Sequence, residues 1–287
     1  MKRISVNDIM THKVIGVDQS TKLDKIINLM SKKKIGSVVI LEKDYPVGII
    51  TIRQILKLAE SCAPPSSMDA HEIMSSPIVT VEPDIDLRTA SILMLKKGIK
   101  KLIIVENGKL AGLVTTTDIE RVFMPFDSPF DVLNEQSSSG IALREEFQID
   151  LNKKLVEDLM TKDVKTVDSS MKINQIAKIM NGTKIGSLIV TKNDKPIGIV
   201  TDINIMSGIM DKGLDPCQTS AEEGMQPLMT VSPKTTLNNA IESMIENTVR
   251  KLGVIDDSNG ALVGIITTTD FLVYYRSLLF SQKTLKQ

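Results

Sequence analysis

Four threonines in this chain of 287 residues are each followed, three positions later, by a side chain that accepts hydrogen bonds. The pairs are Thr51–Gln54, Thr115–Asp118, Thr201–Asn204 and Thr267–Asp270. An ionised aspartate is acceptor-only, and its two oxygens can accept from both hydroxyls of a ribose. A threonine at a helix start adds a hydroxyl where free N–H groups and the helix dipole favour a phosphate. The same spacing is also a capping box, which satisfies helix N–H groups without any ligand. The pattern therefore predicts either a nucleotide site or a helix cap.

Each of these threonines lies at the end of a short sequence motif, called the phrase below, which occurs four times. A second motif recurs in the same register. The phrase begins with a glycine three residues before the threonine, at Gly48, Gly112, Gly198 and Gly264. We interpret this glycine as a position where backbone can approach closely. The second motif is an opening segment that contains Met10, Met74, Met160 or Met225. Four copies of one unit indicate a repeat protein. Because the spacing from Met10 to Met160 equals that from Gly48 to Gly198, 150 positions, a tandem pair has been duplicated.

We divide the chain into four repeats at residues 1–60, 66–122, 156–212 and 219–280, with a linker at 123–155. Apolar residues from Leu23 to Met30 recur at helical spacing and predict a helix over about 21–33. Strands follow at 37–41 and 47–50, with a turn at 43–46, and a second helix begins near Ile52. Repeat 2 has strands at 102–105 and 110–114 around the turn Asn107–Gly108. The turns of repeats 3 and 4 are placed at 192–196 and 258–260.

Each repeat thus reads as strand, helix, strand, strand, helix, which is an α/β (α+β) fold. A short extended segment, such as 78–81 or 165–167, precedes each first helix. So small a sheet leaves one apolar face uncovered, and the tandem spacing indicates that neighbouring repeats cover each other. Methionines on the helix stripes, such as Met30, Met94, Met180 and Met244, are interpreted as core packing.

Alignment of the repeats reveals a difference between odd and even units. Gly36-Ser37 of repeat 1 aligns with Lys100-Lys101 of repeat 2, and Gly186-Ser187 aligns with Arg250-Lys251. Small residues leave room for a flat purine beside backbone amides, and basic residues supply charge-assisted hydrogen bonds to phosphate. The alternative is a basic edge that is simply solvated. Repetition at equivalent places favours the first interpretation.

The four phrases, in register with the Met openers and with Ile35-Gly-Ser37 and Ile185-Gly-Ser187, resemble the cystathionine-β-synthase (CBS) domain. The tandem resembles the CBS pair called a Bateman module. This resemblance covers nearly all of the chain outside 123–155 and the last few residues. It implies adenosine-containing ligands in clefts between paired units. Four units in one chain resemble the gamma subunit of AMP-activated protein kinase, where two modules meet as a flat, pseudo-symmetric disc.

The resemblance implies one productive nucleotide cleft in each tandem and a weaker second one. The nucleotide-binding positions are Gly36, Ser37, Lys100, Lys101, Thr115, Thr117 and Asp118, and then Thr166, Gly186, Ser187, Arg250, Lys251, Thr267, Thr269 and Asp270. The weaker clefts have Thr51, Thr80, Thr201 and Asn204. Gln54 departs from the aspartate form of the motif, so we expect its cleft to be empty or to take another ligand. Arg53 beside it is interpreted as a surface helix residue.

Composition limits the class of protein. Lysine plus arginine equals aspartate plus glutamate, 35 against 35, which disfavours nucleic-acid binding. The N-terminus lacks a signal-peptide core, and no apolar run approaches the ~20 residues of a membrane span. We expect a cytoplasmic protein with Cys62 and Cys217 as reduced thiols. His12 and His71 lack companions at metal spacing, and no catalytic motif appears, so we expect neither an enzyme nor a protein metal site.

The leading hypothesis is a regulatory protein that binds AMP, ADP or ATP and passes its occupancy to an effector protein. It requires no cofactor, although Mg²⁺ would accompany ATP, and it forms a monomeric disc or a homodimer. One alternative is another adenosyl ligand, S-adenosylmethionine or a dinucleotide. The others are a ligand-free assembly module and a DNA-binding regulator. The linker holds Phe123, Phe126, Phe130 and Phe147, which either dock on the chain's own modules or bind a partner.

Overall fold

The computed structural model describes residues 4–123, 153–271 and 273–274. Three of the linker phenylalanines, Phe126, Phe130 and Phe147, lie outside the described residues, whereas Phe123 ends the helix that starts at Thr116. The chain divides into two compact units. The first comprises residues 1–124, 170–187 and 201–224, and the second comprises 125–169, 188–200 and 225–287.

The first two repeats have the expected order of elements. Repeat 1 contains β1 (Gly16–Asp18), α1 (Leu23–Lys33), β2 (Ser37–Glu42), β3 (Tyr45–Thr51) and α2 (Ile52–Ser61). A short helix α3 (Ala70–Ile73) opens repeat 2, which continues with β4 (Thr80–Val81), α4 (Leu87–Lys97), β5 (Lys101–Glu106), β6 (Lys109–Thr115) and α5 (Thr116–Phe123). Short 3-10 turns lie at Val6–Asp8 and Pro65–Ser67.

The last two repeats follow the same plan. Repeat 3 opens with a 3-10 turn at Val156–Asp158 and contains β7 (Thr166–Asp168), α6 (Ile173–Thr183), β8 (Ser187–Lys192), β9 (Lys195–Thr201) and α7 (Asp202–Asn204), which runs into a π-helix at Ile205–Met210. Repeat 4 contains α8 (Ala221–Gly224), β10 (Thr230–Val231), α9 (Leu237–Glu246), β11 (Lys251–Ile255) and β12 (Leu262–Thr267), followed by helical turns at 268–271. The α/β fold with four equivalent units is confirmed.

Each repeat forms a three-stranded sheet in sequence order, with β1 parallel to β2 and β2 antiparallel to β3 in repeat 1. The hairpin turns are shorter than predicted in the odd repeats. Only Lys43 and Asp44 turn in repeat 1, both with positive φ, and Asn193 and Asp194 do so in repeat 3. Two consecutive positive-φ residues match the twist of the flanking strands. The predicted turn residues Tyr45 and Pro46 therefore belong to β3.

The opening segment of each repeat pairs with the neighbouring repeat of its tandem. Residues 4–11 contact repeat 2: Val6 N donates to Ile85 O at 3.0 Å, and Thr11 forms a bridge with Leu113. In return, Ala70 N donates to Thr21 O at 2.9 Å in repeat 1. The second unit repeats the contact, since Val156 N donates to Thr235 O at 2.9 Å. Periodicity could not reveal this exchange, because it relates segments about 50 to 100 residues apart.

A methionine in each opening segment packs on the glycine of the neighbouring phrase. A Cβ added to Gly112 would lie 2.3 Å from Met10 Sδ, and one added to Gly264 would lie 2.4 Å from Met160 Sδ. Gly48 and Gly198 have the same relation to Met74 and Met225. All four glycines therefore leave room for a methionine side chain. Gly198 also admits a close backbone, as expected, because a Cβ added there would lie 2.9 Å from Gln226 O.

The core of repeat 2 includes residues contributed by repeat 1. Val6 and Met10 cluster with Ala90, Met94 and Leu102, and all five are buried. Full burial of one such apolar side chain contributes about 1.5–3 kcal/mol. The repeats of a tandem thus share their cores, and neither has a complete core alone. The helix-stripe methionines Met30, Met94, Met180 and Met244 are buried, as predicted.

Within the first compact unit, α2 packs against α6 and the π-helix, and α1 packs against the π-helix. Arg53 Nη1 donates to Met180 O near the C-terminal end of α6 at 2.9 Å. Asn28 Nδ2 donates to Asp211 Oδ1 at 2.9 Å. The interpretation of Arg53 as a surface residue is therefore wrong, because it is partly buried and binds a helix carbonyl.

Cys62 and Cys217 form a disulfide, so the prediction of two reduced thiols is wrong. Their Cα atoms are 5.9 Å apart although 155 residues separate them in sequence. This separation lies within the range that a disulfide requires, and it follows from the packing of α2 on α6. A disulfide that closes so long a loop contributes about 2–5 kcal/mol by restricting the unfolded chain.

Replacement of Gly112 by alanine should lower the free energy of unfolding by about 1–3 kcal/mol, because the new methyl group overpacks Met10. Gly182→Ala is the matched control: its Cβ meets nothing within 4 Å, and alanine is favoured in a helix by about 0.5–1 kcal/mol. Urea unfolding followed by circular dichroism measures both. Equal stability of Gly112→Ala and the wild type would refute the methionine–glycine contact.

Candidate functional site

The helix start of repeat 2 is closed by the predicted threonine and aspartate. Strand β6 ends at Thr115, where α5 begins. Asp118 Oδ2 accepts from Thr115 N at 2.8 Å and from Thr115 Oγ1 at 2.7 Å, and Asp118 N donates to Thr115 Oγ1 at 3.3 Å. This reciprocal pair is a capping box. The cap is present, and it fixes the aspartate at the N-terminal end of the helix.

Lys101 lies directly opposite Thr115 in the antiparallel pair of β5 and β6. Its neighbour Lys100 is exposed, and Lys100 O accepts from Thr116 N at 3.1 Å. Burial lowers the pKa of the half-buried Lys101 ammonium, and the negative charge of Asp118 partly opposes this effect. Burial of a charge without full compensation costs free energy. A cation, a hydroxyl and a carboxylate therefore converge at one helix start.

Repeat 4 reproduces this arrangement in the second compact unit. Lys251 pairs with Thr267, and Arg250 O accepts from Thr268 N at 3.1 Å. Asp270 Oδ2 accepts from Thr267 N and from Thr267 Oγ1, both at 2.7 Å. The even repeats thus have the same chemistry at the same place, as the alignment predicted.

In repeat 1 the equivalent place is neutral. Ser37 pairs with Thr51, and Gly36 O accepts from Ile52 N at 3.3 Å. Gln54 Oε1 accepts from Thr51 N at 3.0 Å, while Gln54 Nε2 donates to Ser75 Oγ at 2.7 Å. Gln54 therefore joins its own cap to the opening segment of repeat 2. No sequence pattern predicted this second bond, because it depends on the pairing of the opening segment of repeat 2 with repeat 1.

Gly36 has a different environment from the phrase glycines. A Cβ at Gly36 would meet only Ile52 Cδ1, at 3.7 Å, which is ordinary van der Waals contact. Packing therefore does not require a glycine at this position. Room for a ligand remains an explanation for its small size.

Repeat 3 departs from the capping box. Thr201 Oγ1 accepts from Asn204 N at 3.0 Å, and Gly186 O accepts from Asp202 N at 3.1 Å. Asn204 is buried, and its Oδ1 has no hydrogen-bond partner among the described residues. Its Nδ2 would lie 2.7 Å from a Cβ at Gly208. The asparagine thus points along its own π-helical turn, where Gly208 makes room for it.

The other predicted positions are exposed or partly buried. Thr80 and Thr166 are the exposed first residues of β4 and β7. Thr117 and Thr269 are exposed in the first helical turn after the phrase. Arg250 is exposed on the edge of repeat 4, and Ser187 is the partly buried first residue of β8. The structure brings Lys101, Thr115 and Asp118 together within one repeat. A cleft that joins them to Gly36 and Ser37 remains a prediction.

The histidines take no part in this arrangement. His12 is exposed, and His71, also exposed, has Nδ1 3.4 Å from Gln19 O. None of the helices in the described part of the chain has the length and apolar composition needed to cross a bilayer.

A model of the CBS domain matches residues 6–61, 70–124, 156–211 and 225–277. The chain belongs to the CBS-domain family. The first three matches end at, or one residue after, the helix that follows the threonine phrase. Each of these three matches therefore includes a complete strand-helix-strand-strand-helix unit.

Two archaeal proteins illustrate the relationship. Protein MK0525 from Methanopyrus kandleri is 42% identical over 125 residues, which cover 42% of this chain and 64% of MK0525. Protein MJ1225 from Methanocaldococcus jannaschii is 27% identical over 198 residues, which cover 68% of this chain and 67% of MJ1225. The chain thus spans about two thirds of the length of these relatives.

The solved structure of MJ1225, proposed as an archaeal homolog of g-AMPK, shares the fold with a TM-score of 0.64. The superposition covers 95% of this chain and all of MJ1225, at 21% identity. An inosine-5'-monophosphate dehydrogenase from Chlorobaculum parvum matches 36% of this chain at 28% identity, but only 21% of the enzyme. CBS-domain proteins of this kind are generally regulatory rather than catalytic.

Replacement of Lys101 by methionine should preserve or raise the stability of the ligand-free chain. Because burial lowers the pKa of the Lys101 ammonium, the folded state binds the ammonium proton less tightly than the unfolded state does. Below this lowered pKa the lysine is charged in both states, and its burial then lowers the free energy of unfolding. Methionine keeps the apolar stem and removes the charge. Urea unfolding near neutral pH measures the change, with the exposed Lys100→Met as control. A loss of more than about 1 kcal/mol in Lys101→Met would show that the ammonium is a structural partner.

Proposed function

We propose that this CBS-domain protein binds adenine nucleotides, AMP, ADP or ATP, at the helix starts of its even repeats. The observation that carries the proposal is the half-buried Lys101 beside Thr115 and Asp118. A phosphate placed there would offset the cost of burying the ammonium and would accept charge-assisted hydrogen bonds. The N-terminal end of α5 adds the dipole and the N–H groups that favour an anion.

The aspartate has a second role in this proposal. The capping box holds the Asp118 carboxylate at the end of β6, and a carboxylate in this position can accept from ribose hydroxyls. The preference for adenine rests on the resemblance to CBS pairs. Phosphate ligands are favoured over S-adenosylmethionine, because basic residues repel a sulfonium.

Occupancy would be passed to an effector protein, and Mg²⁺ would accompany ATP. A nucleotide bound in a tandem contacts repeats that share their cores. Binding would therefore stabilise the pair as a whole, by about 2.7 kcal/mol at 100 times the dissociation constant. Such an increase in the stability of the tandem is a change that a partner protein can recognise.

Isothermal titration with AMP, ADP and ATP tests the proposal on two variants that both remove a helix cap. Asp118→Ala removes the cap of α5, and Asp86→Ala removes the cap of α4, where Asp86 Oδ1 accepts from Thr89 N at 3.0 Å. Each should lose about 0.5–2 kcal/mol of stability. Only Asp118→Ala should also lose nucleotide binding at its repeat, and Asp270→Ala should do the same in the second tandem.

If Asp118→Ala and Asp86→Ala bind the nucleotides equally well, Asp118 only caps its helix and is not part of the nucleotide site. No heat and no thermal shift with any of the three nucleotides in the wild type would favour the ligand-free assembly module. In that case the change in oligomeric state with protein concentration becomes the relevant measurement.

A further inference from the structure

Three metal-ligating side chains meet in the first compact unit, away from the helix starts of the even repeats. Cys62 Sγ, Cys217 Sγ and a carboxylate oxygen of Asp215 all lie within 4.8 Å of one another. The two cysteines are partly buried and the aspartate is exposed. Among the described residues this is the one group of at least three His, Cys, Asp or Glu side chains with such spacing.

The Asp215–Cys217 loop is shaped by hydrogen bonds that do not involve the disulfide. Asp215 Oδ1 accepts from Cys217 N at 2.8 Å. Asp215 O accepts from Gln218 N at 3.0 Å, and from Thr219 N and Thr219 Oγ1, both at 2.8 Å. The loop therefore keeps the carboxylate beside Cys217 whichever oxidation state the sulfur atoms have.

The separation of the two cysteines is also set without the disulfide. Cys62 is the C-cap of α2, in the left-handed conformation. Arg53 ties α2 to Met180 O of α6, and Asn181 Nδ2 donates to Glu60 Oε2 at 3.2 Å, two residues before Cys62. Packing of α2 against α6 and the π-helix accompanies these bonds. Reduction would thus leave two thiols on Cα atoms about 6 Å apart.

We propose that the reduced chain binds one Zn²⁺ through Cys62, Cys217 and Asp215, with a water molecule as fourth ligand. Two thiolates bound at about 2.3 Å in a tetrahedral site lie about 3.8 Å apart, which requires only that the sulfur atoms rotate away from each other. A carboxylate oxygen binds zinc at about 2.0–2.2 Å. Soft thiolates select zinc over Mg²⁺ or Ca²⁺, which prefer oxygen ligands.

The site exists in two mutually exclusive forms. A dithiol reductant transfers two electrons and two protons to the disulfide, giving two thiols and an oxidised dithiol. Zinc then displaces the two thiol protons, which are released to solvent. In both forms, a covalent or a coordinate link joins the end of α2 to the loop after the π-helix. The proposal departs from the expectation that the chain has no protein metal site.

Zinc titration of the full chain tests this inference directly. The protein is reduced with a phosphine, which leaves no competing dithiol, and Zn²⁺ binding is measured by competition with a chromophoric chelator. We expect one zinc per reduced chain and none in the oxidised chain. Co²⁺ bound in place of zinc should give the intense absorption of tetrahedral thiolate coordination.

Variants separate the role of each ligand. Cys62→Ser and Cys217→Ser should each abolish stoichiometric binding. Asp215→Asn keeps an acceptor for Cys217 N, but asparagine is a poorer metal ligand, so the affinity for zinc should fall at least about tenfold. The control is Asp163→Asn, at an exposed position, which should bind zinc like the wild type. If a cysteine variant fails to fold, reversible blocking of the wild-type thiols with a methanethiosulfonate supplies the same comparison.

Three results would overturn the proposal. These are less than about half an equivalent of zinc in the reduced chain, equal binding by the oxidised chain, and unchanged affinity in Asp215→Asn. Because none of these ligands belongs to the even-repeat helix starts, the outcome is independent of nucleotide binding.

Discussion

The contact between a methionine of one opening segment and the phrase glycine of the neighbouring repeat is the constraint on which the structure depends. With no side chain on the glycine, the methionine reaches the last strand of the sheet of the neighbouring repeat. The contact occurs at all four phrases, so the repeats of a tandem complete each other's cores. The threonine lies three residues beyond the glycine on the same strand. The exchange that completes the core therefore also fixes the place where the following helix begins.

On this shared frame, the repeats differ mainly in what they place opposite the threonine. Odd repeats have glycine and serine, and even repeats have a half-buried lysine preceded by an exposed cation. The difference has an energetic consequence, because a half-buried ammonium costs free energy that a small neutral residue does not. Repeat 1 uses its glutamine to join two repeats, whereas repeats 2 and 4 hold an aspartate in the equivalent cap. The copies of one unit thus differ in structural role, and the nucleotide-binding role that we propose falls to repeats 2 and 4.

Much of the fold could be predicted from the sequence, because helical and strand periodicity are local and recur four times. The hairpin at Asn107–Gly108 and the helix from Leu23 are examples. The disulfide could not be predicted, since the approach of Cys62 to Cys217 depends on the packing of α2 on α6. The hydrogen bond of Arg53 could not be predicted for the same reason, because the carbonyl that accepts it is 127 residues away in the sequence. At the candidate site, the alignment predicted which residues are equivalent, but it could not distinguish a cap from a ligand-binding group. The structure contains the cap.

A crystal structure of the full chain grown with excess ATP and Mg²⁺ tests the central claim most directly. The account predicts a phosphate oxygen within about 2.7–3.2 Å of Lys101 Nζ and Thr115 Oγ1, with the ribose hydroxyls on Asp118, and the same arrangement at Lys251, Thr267 and Asp270. Solvent alone beside both aspartates, in crystals that contain saturating nucleotide, would contradict it.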